Sequence, residues 1–469
     1  MSGLRSAVVV LVAAGAVVAP GGGHAVASDS GPPERRLSVD TGDGQVLPAT
    51  LRLPARPLPG RPAMVLVDGA GPGHRDDLRD EAEAFTEAGV ATLVYDKRTV
   101  GYSFTRRSYS LLADDAVAAA AVMRRQPGVD AGNVGLWGLS EGGWVAPLAA
   151  ARDPRTAFLV VVGANGGAPL PQQSWAERIK IEHAGVRGSL VDAYAYTAYR
   201  LINGLGLFPE AYHDAGAAPR VLTLPVLGVW GDRDVQTPPV ESVAAYRTAL
   251  DAAGNRRYTL RTVAGAEHTV RVSTDGWDRG AEFAPGYVDL VTAWASQAVT
   301  GRAPAPSVAG TGMQSRTTVP VPALRWYESA PVQVGAFVTL ILAFAGFGLA
   351  APLRRIRGRR GPRAPWSARL LAGTGLAAVI GWPLYLGSLL FTSGGTLTTN
   401  GAIHAGPLLG GRPLLWLALQ ALAVVTVAAG IVTAVRHRPA PGDRLRTAVV
   451  LGATTVFAAW ALYWGLLLP

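Results

Sequence analysis

The chain has no cysteine. That excludes disulfides, a thiolate nucleophile and cysteine-ligated metal sites, and it leaves the redox state of the compartment open. Charge is scarce too. Asp, Glu, Lys and Arg make up 16% of 469 residues against 49% hydrophobic residues, a balance that points to membrane segments. Acids almost vanish from the last third. From residue 301 onward only Glu328 and Asp443 stand against 15 arginines, whereas the first 300 residues carry 28 basic and 31 acidic side chains. The formal charge of +10 therefore belongs to the C-terminal third. No basic stripe interleaved with aromatics marks a nucleic-acid partner for the remainder.

What is present begins with "MSGLRSAVVVLVAAGAVVAPGGGHAVAS": Arg5, a 13-residue apolar run from Ala7 to Ala19, and Ala25-Val26-Ala27. This three-part pattern predicts a signal peptide over residues 1–27, its run being short of the ~20 residues that span a bilayer. The other reading is an uncleaved anchor. Residues 28–299 then alternate short apolar runs (63–69, 91–97, 133–138, 157–163, 225–231) with amphipathic stretches near 77–88, 112–126, 141–151 and 239–252. This alternation predicts an α/β domain with a mostly parallel sheet covered on both faces. A Tyr- and Ala-rich helical insert at 165–220 breaks the rhythm and is expected to cap one end of the sheet.

Residues 300–330 open with a Pro-, Gly-, Ser- and Thr-rich stretch lacking periodicity, and read as a linker that does not dock rigidly. A membrane region, 331–469, follows with four apolar stretches of spanning length: 331–351, 370–391, 414–435 and 448–468. "RRIRGRRGPR" (354–363) joins the first two and "RHRPAPGDRLR" (436–446) the last two, while 392–413 holds only Arg412. Cationic loops stay in the cytoplasm, so the α/β domain is expected on the extracytoplasmic side of a cell membrane. The spans carry no acid, so they read as an anchor rather than an ion path.

"GLWGLSEGGW" (135–144) places Ser140 between a strand and a helix. A sharp strand–serine–helix turn exposes the hydroxyl and aims the Glu141 N–H at a developing oxyanion. Gly138 and Gly142 are needed where a Cβ would collide with neighbouring elements. A serine needs a base, and the base an orienting carboxylate, in the chain order Ser, Asp, His. "LPVLGVWGDRDVQTPP" (224–239) offers Asp234, beyond the strand end, with Asp232 as the alternative. Of seven histidines, only His268 in "LRTVAGAEHTV" (260–270) lies downstream of both and outside the membrane region. A second oxyanion donor is expected from the glycine-dense loop "LVDGAGPGHRDD" (66–77), at the Ala70 backbone N–H.

At these residues the chain resembles the α/β-hydrolase superfamily, and within it bacterial secreted carboxylesterases of the dienelactone-hydrolase and prolyl-oligopeptidase-related branch. Asp68-Gly69-Ala70-Gly71-Pro72 followed by Arg75-Asp76 stands where the branch has H-G-S-G-P and R-D. "YDKRTVGYS" (95–103) is similar to its D-x-R-G-x-G-x-S segment, with Thr99 in a glycine position, and "GLSEGG" and "GAEH" also match. The resemblance covers about residues 36–299. The departure at Asp68 puts a carboxylate beside the oxyanion site, where it opposes charge unless turned away, paired with Arg98 or Arg75, or capping the following amides. Asp96-Lys97-Arg98 reads as a strand-end salt-bridge cluster.

The expected function is a membrane-anchored carboxylesterase-type serine hydrolase, with a small-molecule ester as substrate, the bilayer as its other partner, and neither cofactor nor metal. The same triad serves a peptidase, an amidase or an acyltransferase. A non-catalytic, ligand-binding membrane protein is the reading from another class.

Overall fold

The computed structural model describes residues 34–103, 105–358, 364–392, 403–436 and 444–469. The expected signal peptide, residues 1–27, lies outside them, as do parts of both arginine-rich loops.

Among the described residues, nine strands form one sheet in the order β1-β2-β4-β3-β5-β6-β7-β8-β9. β1 (Glu34–Asp40) and β2 (Val46–Arg52) form an antiparallel hairpin on one edge, and β2 pairs antiparallel with β4 (Ala91–Tyr95). From β4 the sheet is parallel through β3 (Ala63–Val67), β5 (Val134–Leu139), β6 (Leu159–Val162), β7 (Val226–Gly231), β8 (Tyr258–Val263) and β9 (Ser307–Ala309). β3, β5, β6 and β7 are buried along their whole length, as strands covered on both faces must be. One apolar cluster gathers around Leu112, Ala116, Val145 and Ala149 on one face, and another around Phe85, Trp137, Trp294 and Tyr287 on the other. The parallel strands end together at Val67, Leu139, Val162, Gly231 and Val263, so the loops that follow them share one rim.

Four helices, Ala330–Ile356, Trp366–Thr392, Leu414–Arg436 and Arg444–Tyr463, are each long and apolar enough to cross a membrane. They leave large aliphatic side chains such as Leu342, Leu384, Leu415 and Ile431 exposed, surface that suits lipid and not water. Small residues let them approach closely: a Cβ on Gly375 would strike Phe344, one on Gly381 Leu419, and one on Gly430 Thr454. Hydrogen bonds between Thr426 and Thr374 (2.8 Å) and between Thr433 and Ser367 (2.9 Å) cross the second and third helices.

Two expectations about the connections need correcting. Residues 300–330 are not a loose tether. β9 extends the sheet, the Gln314 N–H bonds the Asp232 carbonyl (3.0 Å), Trp175 bonds the Arg316 carbonyl (3.1 Å), and Glu241 accepts from the Thr318 N–H (2.8 Å) and hydroxyl (2.7 Å). Arg200 then grips Glu328 with two bonds of 2.8 and 2.9 Å just before the first long helix. The segment lacks apolar periodicity because backbone pairing and polar contacts dock it.

Nor is the insert at 165–220 only a cap. Its first helix, Pro169–His183, lies over the loop after β7, where Trp175 and Ile179 pack with Val235. The elements after it, Ser189–Asp192 and a π-turn at Ala193–Ala198, bury Leu190, Val191, Tyr194 and Ala195 in the same core as Leu389, Trp416, Phe457 and Trp464 of the four-helix region. Ser189 Oγ accepts from Trp416 and Gln420, each at 3.2 Å, and the Arg187 N–H bonds the Gly411 carbonyl (2.8 Å). The insert therefore docks at the bundle end made by the start of the first and third helices and the finish of the second and fourth. The opposite end carries Arg354, Arg357, Arg436 and Arg444.

Candidate active site

β5 delivers Ser140 in a strained conformation. Its φ is 54°, a left-handed value that a serine adopts only when its surroundings force it. The flanking glycines show how. A Cβ on Gly138 would lie 2.2 Å from the Gly142 carbonyl oxygen, and one on Gly142 would lie 2.3 Å from the Val67 carbonyl oxygen. The helix Gly142–Arg152 thus starts immediately against β3 and β5. The Ser140 N–H bonds the Val162 carbonyl (2.9 Å), and its carbonyl accepts the Gly143 N–H (2.8 Å), which closes the turn.

Asp234 and His268 meet on the same rim. Asp234 is fully buried and accepts four hydrogen bonds: Oδ1 from the N–H groups of Gln236 (2.8 Å) and Thr237 (2.9 Å), Oδ2 from the Thr237 hydroxyl (2.7 Å) and His268 Nδ1 (2.8 Å). A carboxylate so supplied only accepts, so Nδ1 carries the proton and Nε2 the lone pair. Asp232, the alternative acid, does not reach the imidazole. Its Oδ1 accepts the Ala266 N–H (3.3 Å) and so steadies the loop that carries His268.

The end of β6 touches both halves. While Val162 holds the Ser140 N–H, a Cβ on Gly163 would sit 2.9 Å from His268 Nδ1 and Cε1, so the ring rests directly on that glycine. His268 Nε2 is buried with no hydrogen-bond partner among the described residues, Ser140 Oγ included. Burial pushes the imidazole pKa down, but the Asp234 charge and hydrogen bond, helped by Glu267, outweigh it and hold the ring above the ordinary histidine value.

The loop after β3 lies beside the serine. A Cβ on Gly69 would come within 3.4 Å of Ser140 Cβ. Asp68 Oδ1 accepts the Gly69 N–H (2.7 Å), which is the capping arrangement, and Oδ2 turns back to where a side chain on Gly73 would stand. Neither arginine considered for Asp68 pairs with it: Arg75 binds Asp96 (2.7 Å), and Arg98 binds Asp115 and Asp43. Burial, the largest influence, raises the Asp68 carboxyl above the usual range despite nearby Lys97. The Gly71 N–H is held by the Tyr102 hydroxyl at 3.0 Å. Between these anchors, the Ala70 N–H forms no hydrogen bond among the described residues, and neither does the Glu141 N–H.

Sequence reasoning passed over the side chains around Glu141. Its carboxylate is 1% exposed and meets Lys97 (3.1 Å), Tyr102 (2.8 Å) and Arg107 (2.9 Å). Lys97 and Tyr102 sit in the "YDKRTVGYS" segment, so their neighbourhood was marked but not their target.

The prolyl oligopeptidase family matches residues 81–285. Among curated proteins, the chain is 30% identical over 105 residues to a thiohydrolase of Aspergillus aculeatus, covering 22% of this chain and 33% of that protein. It is 33% identical over 135 residues to a thiohydrolase of Eupenicillium brefeldianum, covering 28% of this chain and 42% of that protein. The chain therefore spans less than half the length of these relatives. Among solved structures, a dienelactone hydrolase of Anabaena variabilis superposes with a TM-score of 0.37 at 20% identity, over 58% of this chain and 98% of that one. The sheet order and the strained serine turn give the domain preceding the four long helices the α/β-hydrolase fold, and it is this domain that resembles the prolyl oligopeptidase family over residues 81–285.

Proposed function

We propose that the protein is a membrane-anchored serine hydrolase that cleaves carboxylic esters through an acyl-enzyme on Ser140. The observation that carries this reading is the strained Ser140 on the same rim as a buried His268–Asp234 pair of 2.8 Å. Ser140 Oγ attacks the acyl carbon while His268 Nε2 takes its proton. The free N–H groups of Ala70 and Glu141 hold the oxyanion. The tetrahedral adduct collapses, His268 returns the proton to the departing alcohol, and water repeats the attack on the acyl-enzyme. The contact between Nε2 and Oγ tightens as substrate binds, as it does in many hydrolases whose empty sites are loose. The thiohydrolase relatives favour a second reading, thioesters as substrates, which the same steps accommodate.

The pH profile tests the base. Protonated His268 cannot accept the serine proton, so activity rises as the ring loses its charge. Because its pKa is held up, the midpoint of kcat against pH is expected above the ordinary 6.5. Asp234→Asn removes the cause of that shift and the tautomer it fixes, so kcat should fall by about 10⁴. Asp232→Asn should retain most activity. A midpoint below 6.5, or the opposite ranking of the two variants, counts against these roles.

The cationic charge of the bundle's far end supports an active site outside the cytoplasm. A cysteine at Pro407, on the hydrolase side, should react with an impermeant maleimide on intact cells, and one at Gly358 should not. The chain's lack of cysteine makes the background silent. Labelling in the reverse pattern would put the site in the cytoplasm.

A further inference from the structure

Both proposed oxyanion donors are backbone groups, and one buried cluster grips the chain around each. Of the chain's 43 basic residues only Lys97 and Lys180 are lysine. The Lys97 side chain is 6% exposed, and its ammonium donates to two acceptors, the Gly69 carbonyl and Glu141 Oε1. The Tyr102 hydroxyl donates to the same Oε1 and receives the Gly71 N–H. Arg107 faces Glu141 Oε2. The cluster thus holds the oxyanion loop immediately before and immediately after Ala70.

The Gly69 carbonyl and the Ala70 N–H belong to one peptide group. A trans peptide is planar, with its C=O and N–H pointing opposite ways. A cation fixed on the oxygen therefore sets the direction of the hydrogen, and by drawing electron density toward oxygen it strengthens the N–H as a donor. We propose that Lys97 is a positioning residue for the oxyanion hole, holding the 69–70 peptide so that the Ala70 N–H faces the oxyanion formed at Ser140. Glu141 couples the two donors: its own N–H is one, and its carboxylate anchors the lysine that aims the other. Burial pulls the Lys97 pKa down, but the charge of Glu141, with Tyr102 and Asp68, outweighs it and holds the pKa above the ordinary lysine value. It acts as a fixed charge and not as a titrating group.

The inference rests on the serine-hydrolase reading, and the test separates the two. The full-length chain in detergent, as wild type and Lys97→Met, is assayed with p-nitrophenyl butyrate, a fluorophosphonate label and a trifluoromethyl ketone, which mimics the tetrahedral oxyanion. Removing one oxyanion donor costs on the order of 10²–10³ in kcat, and misaiming one should cost roughly 30- to 300-fold. KM should change less than about threefold, the ketone should weaken in step with kcat, and the pH midpoint should stay put because His268 and Asp234 are untouched. A kcat within about threefold of wild type overturns the inference, as does a loss that leaves ketone affinity intact or moves the pH midpoint. If Lys97→Met does not fold, Tyr102→Phe, which removes the hydroxyl shared by Gly71 and Glu141, is judged by the same readouts, with a several-fold loss expected. A wild type that neither labels nor turns over ester overturns the hydrolase reading, and this inference with it.

Discussion

Ser140→Ala is expected to abolish fluorophosphonate labelling and to lower ester turnover by roughly 10³-fold or more, since triad members act as a unit. The loss should be chemical and not structural. What fixes the turn is the contact of Gly138 and Gly142 with their neighbours, together with two backbone hydrogen bonds, and none of these involves the hydroxyl. Alanine meets the same strain at φ 54° as serine does, so the variant should unfold near the wild-type temperature. A stably folded Ser140→Ala chain with near-normal turnover would remove the serine from the mechanism.

The second large effect concerns the domain boundary. The strand–helix pattern of residues 28–300 leads one to expect a soluble, active fragment, and the docked insert reverses that expectation. Cutting at residue 300 strips the bundle from Ile181, Val186, Leu190 and Val191, all at most 5% exposed in the full chain. Each such side chain contributes roughly 1.5–3 kcal/mol when buried, so their full exposure forfeits on the order of 6–12 kcal/mol. That rivals the entire stability of an ordinary domain, about 5–15 kcal/mol. The cut also removes β9 and the bonds from Gln314 to Asp232 and from Arg316 to Trp175. Residues 34–300 alone should therefore aggregate, or bind a hydrophobic dye strongly and label far more slowly than the full chain in detergent. A monomeric fragment labelled at the full-chain rate would show that the bundle only tethers.

The parallel core of the sheet was legible in the sequence because β3 to β7 are short apolar runs between helical patterns. β1 was not: its edge position leaves only Val39 buried, so "ERRLSVD" carries no signal. β9 has three residues set among Pro and Gly, too short for any periodicity. The positions of Ser140, Asp234 and His268 followed from chain order within the pattern. The Lys97, Tyr102, Arg107 and Glu141 cluster did not, because a charge run next to a strand looks solvated until tertiary packing buries it. The insert's second partner was hidden for a different reason. The π-turn at 193–198 breaks the 3.6-residue repeat, so its buried face does not show as a helical stripe.

The docked insert also sets an order of assembly. Ser189 is bonded to Trp416 across 227 intervening sequence steps. At about 5–20 residues per second, the ribosome reaches that tryptophan roughly 11–45 seconds after it has made the serine. Once His268 has been made the hydrolase domain has every proposed catalytic group but an insert whose apolar face has no partner, and Leu190 and Val191 stay open to whatever chaperone or protease is near. Completion of the last helix, with Phe457 and Trp464, closes that face. Maturation of the proposed enzyme thus waits for the last of the four long helices. A chain truncated before residue 414 should be cleared by proteolysis, even though its proposed active site has been translated in full.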